Sequence, residues 1–189
     1  MELNDLKGNI IGIIAMETQT KDDFKDTKVS EIIKYKLDAS LKMVGLSNKI
    51  KDLKFSDLSS REKNKVILAS KLNDEVIVLK YFSKGLISKD IEDFKRLFKK
   101  LVSYNKKIIL IDNNLNLFIN CVDNIYIISE NEIIYENKDI YDPTLYLNAD
   151  APGIVDFTYL SEDEGIHIDE YKELDELIKA IYRIKSWNI

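Results

Sequence analysis

Apolar and polar positions along the chain follow two rhythms: short unbroken apolar runs, and longer stretches with a helical period. NIIGIIAM (9–16), VIVL (76–79) and KIILI (107–111) are runs of the first kind. A short apolar run rich in β-branched residues predicts a strand buried on both faces, as in a parallel sheet. KVSEIIKYKLDASLKMVG (28–45) predicts a helix. Its Val29, Ile32, Ile33, Leu37, Leu41 and Val44 recur near the 3.6-residue period, and Gly45 supplies a stop. SSREKNKVILASKL (59–72) predicts a second helix, with Ser59 as N-cap and Glu62 completing a capping box. SKDIEDFKRLFKKLVS (88–103) predicts a third, with Ser88 as N-cap and Ile91, Phe94, Leu97, Phe98 and Leu101 on one face. Acids lead this helix and lysines close it, which suits its dipole.

Further along, NIYIIS (124–129) and EIIYE (132–136) predict a hairpin around Glu130 and Asn131. Residues 139–150 carry Pro143 and no clear period, and read as a linker. The tail holds two helical patterns, one near 152–163 and a stronger one at 170–184 with Tyr171, Leu174, Leu177, Ile178 and Ile181. Strands alternating with helices imply βαβ units and a mostly parallel sheet, so the fold class is α/β, with the last two strands adding an antiparallel edge. The expected division is a core over 1–138, then a linker and helical extension over 139–189.

Composition narrows the function. The chain has 189 residues, is 45% hydrophobic and carries a net charge of -5. Its basic residues are dispersed among acids, which argues against nucleic acid as a partner. One cysteine, Cys121, cannot form an intramolecular disulfide and fits a reducing compartment. No apolar run approaches the roughly 18 residues that span a bilayer, and MELNDLKGN has no signal-peptide core. The expected location is cytoplasmic, peripheral at most on the inner face of the cell membrane, without insertion.

Several segments together resemble the ATP-binding subunit of an ABC transporter. FSDLSSREKNKVILASKL resembles the signature motif and the helix behind it. VIVLKYFSKGL stands where the Walker B strand and its continuation fall, KKIILIDNNLN resembles the strand and switch segment that usually ends in histidine, and VDNIYIISENEIIYE resembles the closing hairpin. LKGNIIGIIAMETQTKDD resembles the Walker A strand and loop, and APGIVDFTYLSEDEGIHIDEYKELDELIKAIYR resembles the C-terminal extension of energy-coupling factor (ECF) transporter ATPases. The resemblance implies a P-loop NTPase-like core with flanking helices and a small helical extension. Residues 22–57 separate Lys21 from Leu58, far fewer than the family has, so the antiparallel and helical subdomains are expected to be truncated.

The resemblance also places the degenerate nucleotide-site positions at Lys21, Asp22, Ser59, Lys80, Tyr81 and Asn113. Lys21 stands at the phosphate-binding lysine, but AMETQTK has no glycine to let backbone N–H groups cradle phosphates. Asp22 replaces the hydroxyl that ligates magnesium. Hydrolysis needs an aspartate to place the metal and a glutamate to polarise water. Lys80 and Tyr81 stand at those two positions, and a lysine there repels a divalent cation by several kcal/mol at an effective dielectric near 20. Lys80 is expected to pair instead with Asp22 or Asp112. Asn113 stands at the switch histidine and has no protonatable ring. Ser59 survives, and N-capping is enough to explain it.

The function expected from the sequence is therefore that of a non-catalytic, ABC-ATPase-like protein. Its partners would be an ABC ATPase subunit or a second copy, with a transporter membrane subunit, and it would need no cofactor. The alternatives are weak residual binding of ATP and magnesium through Lys21, and a stand-alone soluble homodimer.

Overall fold

The structure is a computed structural model that describes residues 6–15, 24–129, 132–147 and 149–187. The apolar runs become strands β1 (Ile10–Ala15), β2 (Val76–Lys80) and β3 (Lys107–Ile111), joined by β4 (Asn124–Ser129) and β5 (Glu132–Asn137). They form one five-stranded sheet in the order β2-β3-β1-β4-β5. The first four strands run parallel and only β5 is antiparallel. The expected two-strand antiparallel edge is thus a single strand. β4 sits in the parallel set because its long apolar run, Ile125–Ile128, pairs beside β1 in the interior.

Both faces of the sheet are covered, which is why its strands read as continuous apolar runs. On one face Ile10, Ile14, Ile77, Leu79, Ile108 and Leu110 meet the helices. On the other, Ile11, Ile13, Ile109 and Tyr126 pack with Leu6 in a smaller cluster.

The helices are α1 (Val29–Ile32), α2 (Leu37–Met43), α3 (Ser60–Lys71), α4 (Ser88–Val102), α5 (Gly153–Asp163) and α6 (Leu174–Trp187). The single helix expected over 28–45 is therefore two. Val29 and Ser30 donate their N–H groups to Leu53 and Lys51, which ties α1 to that loop, and the chain turns at Lys36 with φ 42° before α2 begins. The apolar stripe survives the break, since Val29, Ile32, Ile33, Leu41 and Val44 are all buried. A periodic pattern reports which side chains face the core, not whether the axis between them is straight. Gly45, at φ 69°, ends α2 as expected. The Gly45 and Leu46 N–H groups close back on Lys42 and Leu41, the pairing of a Schellman cap.

α3 starts at the capping box read from the sequence: Ser59 Oγ accepts from the Glu62 N–H, and the Glu62 carboxylate accepts from the Ser59 N–H. The Ser59 hydroxyl in turn donates to the Glu62 carboxylate at 2.7 Å, and this bond, above all, holds the Glu62 carboxyl below the usual carboxylate range. α4 differs from expectation at its start. Ser88 is its first helical residue, Ile87 is the cap position, and Asp90 accepts the Ile87 N–H at 3.3 Å. The carboxylate at the third helical position takes the orphan donor without help from the serine. Phe94 and Phe98 of α4 pack with Phe82, which makes an edge contact to Phe94 at 4.6 Å between ring centroids. Each fully buried ring of this kind stabilises the fold by about 2–3 kcal/mol.

The stretch 139–150, expected as a linker, holds a 3-10 turn at Pro143–Leu147 and puts Ile140, Tyr141 and Leu145 into the main core, beside Val155 of α5. Its apolar residues are spaced for an irregular path, so neither the strand nor the helix period reveals them. The tail is fastened by side chains. Tyr141 donates its hydroxyl to the Tyr171 carbonyl at 2.5 Å and accepts the Tyr171 N–H at 3.0 Å. Asn120 donates to the Lys172 carbonyl and to Glu173. Tyr171, expected within the last helix, lies ahead of it for this reason.

Candidate functional site

Because β2, β3, β1 and β4 are parallel, their carboxyl ends share one edge of the sheet, where ligands bind in open α/β folds. Lys80 ends β2 opposite Ile111 of β3. The chain leaves β2 through Tyr81, whose N–H binds the Ile111 carbonyl at 2.7 Å and whose φ is 50°. A non-glycine residue in the left-handed region is uncommon. It re-aims the backbone so that the segment 82–87 lies back against α3.

That segment is held from α3. Asn64 Nδ2 donates to the carbonyls of Phe82 and Lys84 at 2.8 and 2.9 Å. Gly85, at φ 78°, passes so near Ser60 that a Cβ on it would lie 2.5 Å from the Ser60 Cβ. Arg61 pairs with Asp90 at the start of α4. Ser59 and Ser60 thus serve the start of α3 and its contact with this turn.

Asp112, just beyond β3, is buried. Its Oδ1 accepts from Ser83 Oγ at 2.7 Å and from the Asn114 N–H at 3.0 Å, and its Oδ2 accepts from the Ser83 N–H at 2.8 Å. This corrects the expected pairing of Lys80 with Asp112. The carboxylate is filled by neutral donors from its own loop and from the loop after β2, while Lys80 is exposed. β2 alternates its side chains between the two faces, and at its last position the side chain has already left the core.

Next to Asp112 opens a polar cleft of about 440 Å³, lined by Ser83, Asp112, Asn113, Asn114, Asn116, Asp150 and Ala151. Asn114 lies beside Asp150 in an isolated parallel bridge, so the segment ahead of α5 forms one wall. Asn114 Oδ1 accepts from the N–H and the Nδ2 of Asn116, both at 3.1 Å. Asn113 Oδ1 is buried in this wall and has no hydrogen-bond partner among the described residues.

Of the positions singled out from the sequence, the structure brings Lys80, Tyr81 and Asn113 to the carboxyl edge, and of these only Asn113 lines the cleft. Ser59 is engaged at the N-terminus of α3. Lys21 and Asp22 lie outside the described residues. Sequence reasoning missed Ser83, Asn114, Asn116 and Asp150 as cleft residues. The asparagine-rich run DNNLN after a strand was a usable signal for two of these, Asn114 and Asn116, and nothing in the sequence ties Ser83 or Asp150 to them. Among the described residues no group of three histidine, cysteine, aspartate or glutamate side chains is placed to hold a metal ion.

No protein-family model matches the chain, and no curated protein matches it in sequence. Solved structures do match. A nucleotide-free ATP-binding cassette from an ABC transporter aligns with a TM-score of 0.55 and 19% identity, over 71% of this chain and 67% of that one. The ATP-binding cassette MJ0796, a dimer in a post-hydrolysis state bound to ADP and phosphate, gives 0.53 and 21% over 73% and 70%. CbiO1 from Clostridium perfringens, part of the ABC transporter complex CbiONQ, gives 0.50 and 16% over 80% and 63%. At these identities the likeness is one of fold: a mixed α/β domain with a mostly parallel five-stranded sheet and flanking helices, as in ABC ATPases.

Proposed function

We propose that this chain uses the ATP-binding cassette fold as a binding scaffold rather than as an ATPase, and that it acts as a regulatory or structural partner of an ABC transporter of the ECF type. The observation that carries the reading is the end of β2. The resemblance puts the metal-placing aspartate and the water-polarising glutamate at 80 and 81, where this chain has an exposed lysine and a tyrosine. The nearby buried carboxylate, Asp112, is taken up by Ser83 and Asn114. The described residues of this edge therefore do not fit a magnesium-bound nucleotide, and no chemical step is assigned to it.

The partner surface in this reading is the C-terminal extension. α6 buries Leu177 and Ala180, while Leu174, Ile178 and Tyr182 form an exposed stripe at i, i+4 and i+8. Such a face is available for a partner subunit on the inner side of the membrane. Among the described residues no helix is long and apolar enough to cross a membrane.

The test is capture of the tagged, full-length protein from its native membranes, with and without ATP. An intact ABC ATPase and a membrane subunit are expected in equal amounts in both, and are expected to be lost from the variant Leu174→Ser/Ile178→Ser/Tyr182→Ser. Recovery of the protein alone would point to a stand-alone homodimer. Thermal stabilisation by ATP that Lys21→Ala abolishes would point to a residual nucleotide binder. Point variants serve better than removing residues 151–189, a cut that would take Val155 out of the main core.

A further inference from the structure

We propose that β2 pairs with the β2 of a second copy of this chain, antiparallel and centred on Val78, so that two sheets join edge to edge. The assignment rests on β2 and not on any transporter partner.

β2 is an outer strand, with β3 as its neighbour in the sheet. The Glu75 carbonyl accepts from the Lys107 N–H at 3.0 Å, and the Tyr81 N–H donates to the Ile111 carbonyl at 2.7 Å. Successive residues of a strand turn their backbone groups to opposite sides. The odd-numbered residues of β2 therefore bond to β3, and the N–H and C=O groups of Val76, Val78 and Lys80 point out of the sheet. No described residue takes them, and β3 separates this edge from β1. Val76 and Val78 are only half-buried, and Asp74, Glu75 and Lys80 are exposed, so solvent reaches the strand. An open, apolar edge is a template for another strand. The opposite edge is guarded. β5 has an irregular ladder beside Ile127 and Ile128, and it carries Glu132 and Glu136.

The order of charges selects a second copy as the occupant. β2 is entered through two acids, Asp74 and Glu75, and ends in a base, Lys80. Antiparallel pairing about Val78 sets Lys80 opposite the partner's Val76, with the partner's Asp74 and the partner's Glu75 just beyond, within reach of a long side chain. The two-fold axis repeats this at the other end, so base meets acid at both ends and the valines meet between. Every outward backbone group then has a partner: Val76 exchanges bonds with the partner's Lys80, Val78 with the partner's Val78, and Lys80 with the partner's Val76. The acidic entry is also fixed in place, since the Asp74 carbonyl accepts from Lys106 Nζ at 2.8 Å. β5 lacks this self-complementarity, because pairing about Ile134 would set Glu132 against the partner's Glu136. An isologous contact needs one patch that complements itself, and β2 supplies it.

The test is sedimentation equilibrium of the full-length protein below and above about 100 µM, the order of dissociation constant expected for so small an interface. Amide hydrogen exchange is read by NMR at both concentrations. A reversible dimer is expected at the higher one. The Val76, Val78 and Lys80 amides should gain protection there, while Ile77 and Leu79, already bonded to β3, should not change. Val78→Pro removes an outward N–H, which an edge strand tolerates, and should abolish the dimer. Asp74→Lys/Glu75→Lys tests the same contact without touching the backbone. It should weaken the dimer by about tenfold, and adding Lys80→Glu should restore it. Leu174→Ser/Ile178→Ser/Tyr182→Ser should dimerise as before, which separates this contact from one made through α6. A chain that stays monomeric, protection that misses the three outward amides, a dimer unaffected by both Val78→Pro and the lysine pair, or a dimer lost in the α6 variant would overturn the proposal.

Discussion

Arg61, in the first turn of α3, forms an ion pair with Asp90, in the first turn of α4; Asp90 is only 2% exposed. Arg61 lies in FSDLSSREKNKVILASKL, the segment that resembles the signature motif. Here the residue fixes one helix to another. Removing the guanidinium leaves a buried carboxylate that keeps only the Ile87 N–H among its described partners. Arg61→Gly is expected to destabilise the fold by about 1–3 kcal/mol in denaturant unfolding, and Arg61→Lys by less. A stability unchanged in Arg61→Gly would remove this latch from the account.

Gly85 and Ser60 form a second such contact. Gly85→Ala meets both a left-handed φ and a Cβ 2.5 Å from that of Ser60, for an expected loss of about 1–3 kcal/mol. Adding Ser60→Gly relieves the clash but not the backbone strain. The double variant should therefore recover part of the loss in a double-mutant cycle. Full additivity of the two changes would contradict the close approach.

Lys80 gives a prediction of the opposite kind. Were it paired with a buried carboxylate, Lys80→Asp would be strongly destabilising. The exposed side chain at the end of β2, with Asp112 satisfied elsewhere, predicts a change within about 0.5 kcal/mol. Thermal or denaturant unfolding distinguishes the two. The same variant is expected to show no ATPase activity, since one carboxylate does not by itself make a hydrolytic site.

Asp142 gives the pH dependence. Its carboxyl is lowered to about 2, chiefly by the Tyr135 hydroxyl, with Thr144 next and Asn137 contributing. Tyr135 is raised above the ordinary phenol range, mainly by burial. A carboxyl that is more acidic when folded adds stability above its ordinary value of 3.8, and that stability is lost as pH falls toward 2. Acid titration followed by the Asp142 carboxyl ¹³C shift should show the midpoint near 2. In Asp142→Asn the contact between β5 and the segment after it should no longer depend on pH in this range. A midpoint at the ordinary carboxylate value would mean that the Tyr135 bond does not form in solution.

Much of the fold was legible because its determinants are local. The capping box of Ser59 and Glu62 lies within one helical turn, the Gly45 stop needs only a tolerated φ, and the apolar runs announce strands buried on both faces. The main-core residues of 139–150 were not legible, since an irregular segment has no period to read. Nor was the fate of Asp112, whose partners come from two loops 29 residues apart in sequence.

The sequence by itself determined where most of the strands and helices lie, which of their residues are buried, and that a lysine and a tyrosine, not carboxylates, follow the VIVL run. These follow from backbone periodicity, capping and the chemistry of single side chains. Only the tertiary structure decided that Lys80 leaves the core, that Asp112 is filled by Ser83 and Asn114, and that Asn113 and Asp150 share one cleft. Hydrogen bonds reach about 3 Å, and which groups come within that reach is set by how β2, β3 and the segment ahead of α5 converge, a matter of packing that no local pattern along the chain records.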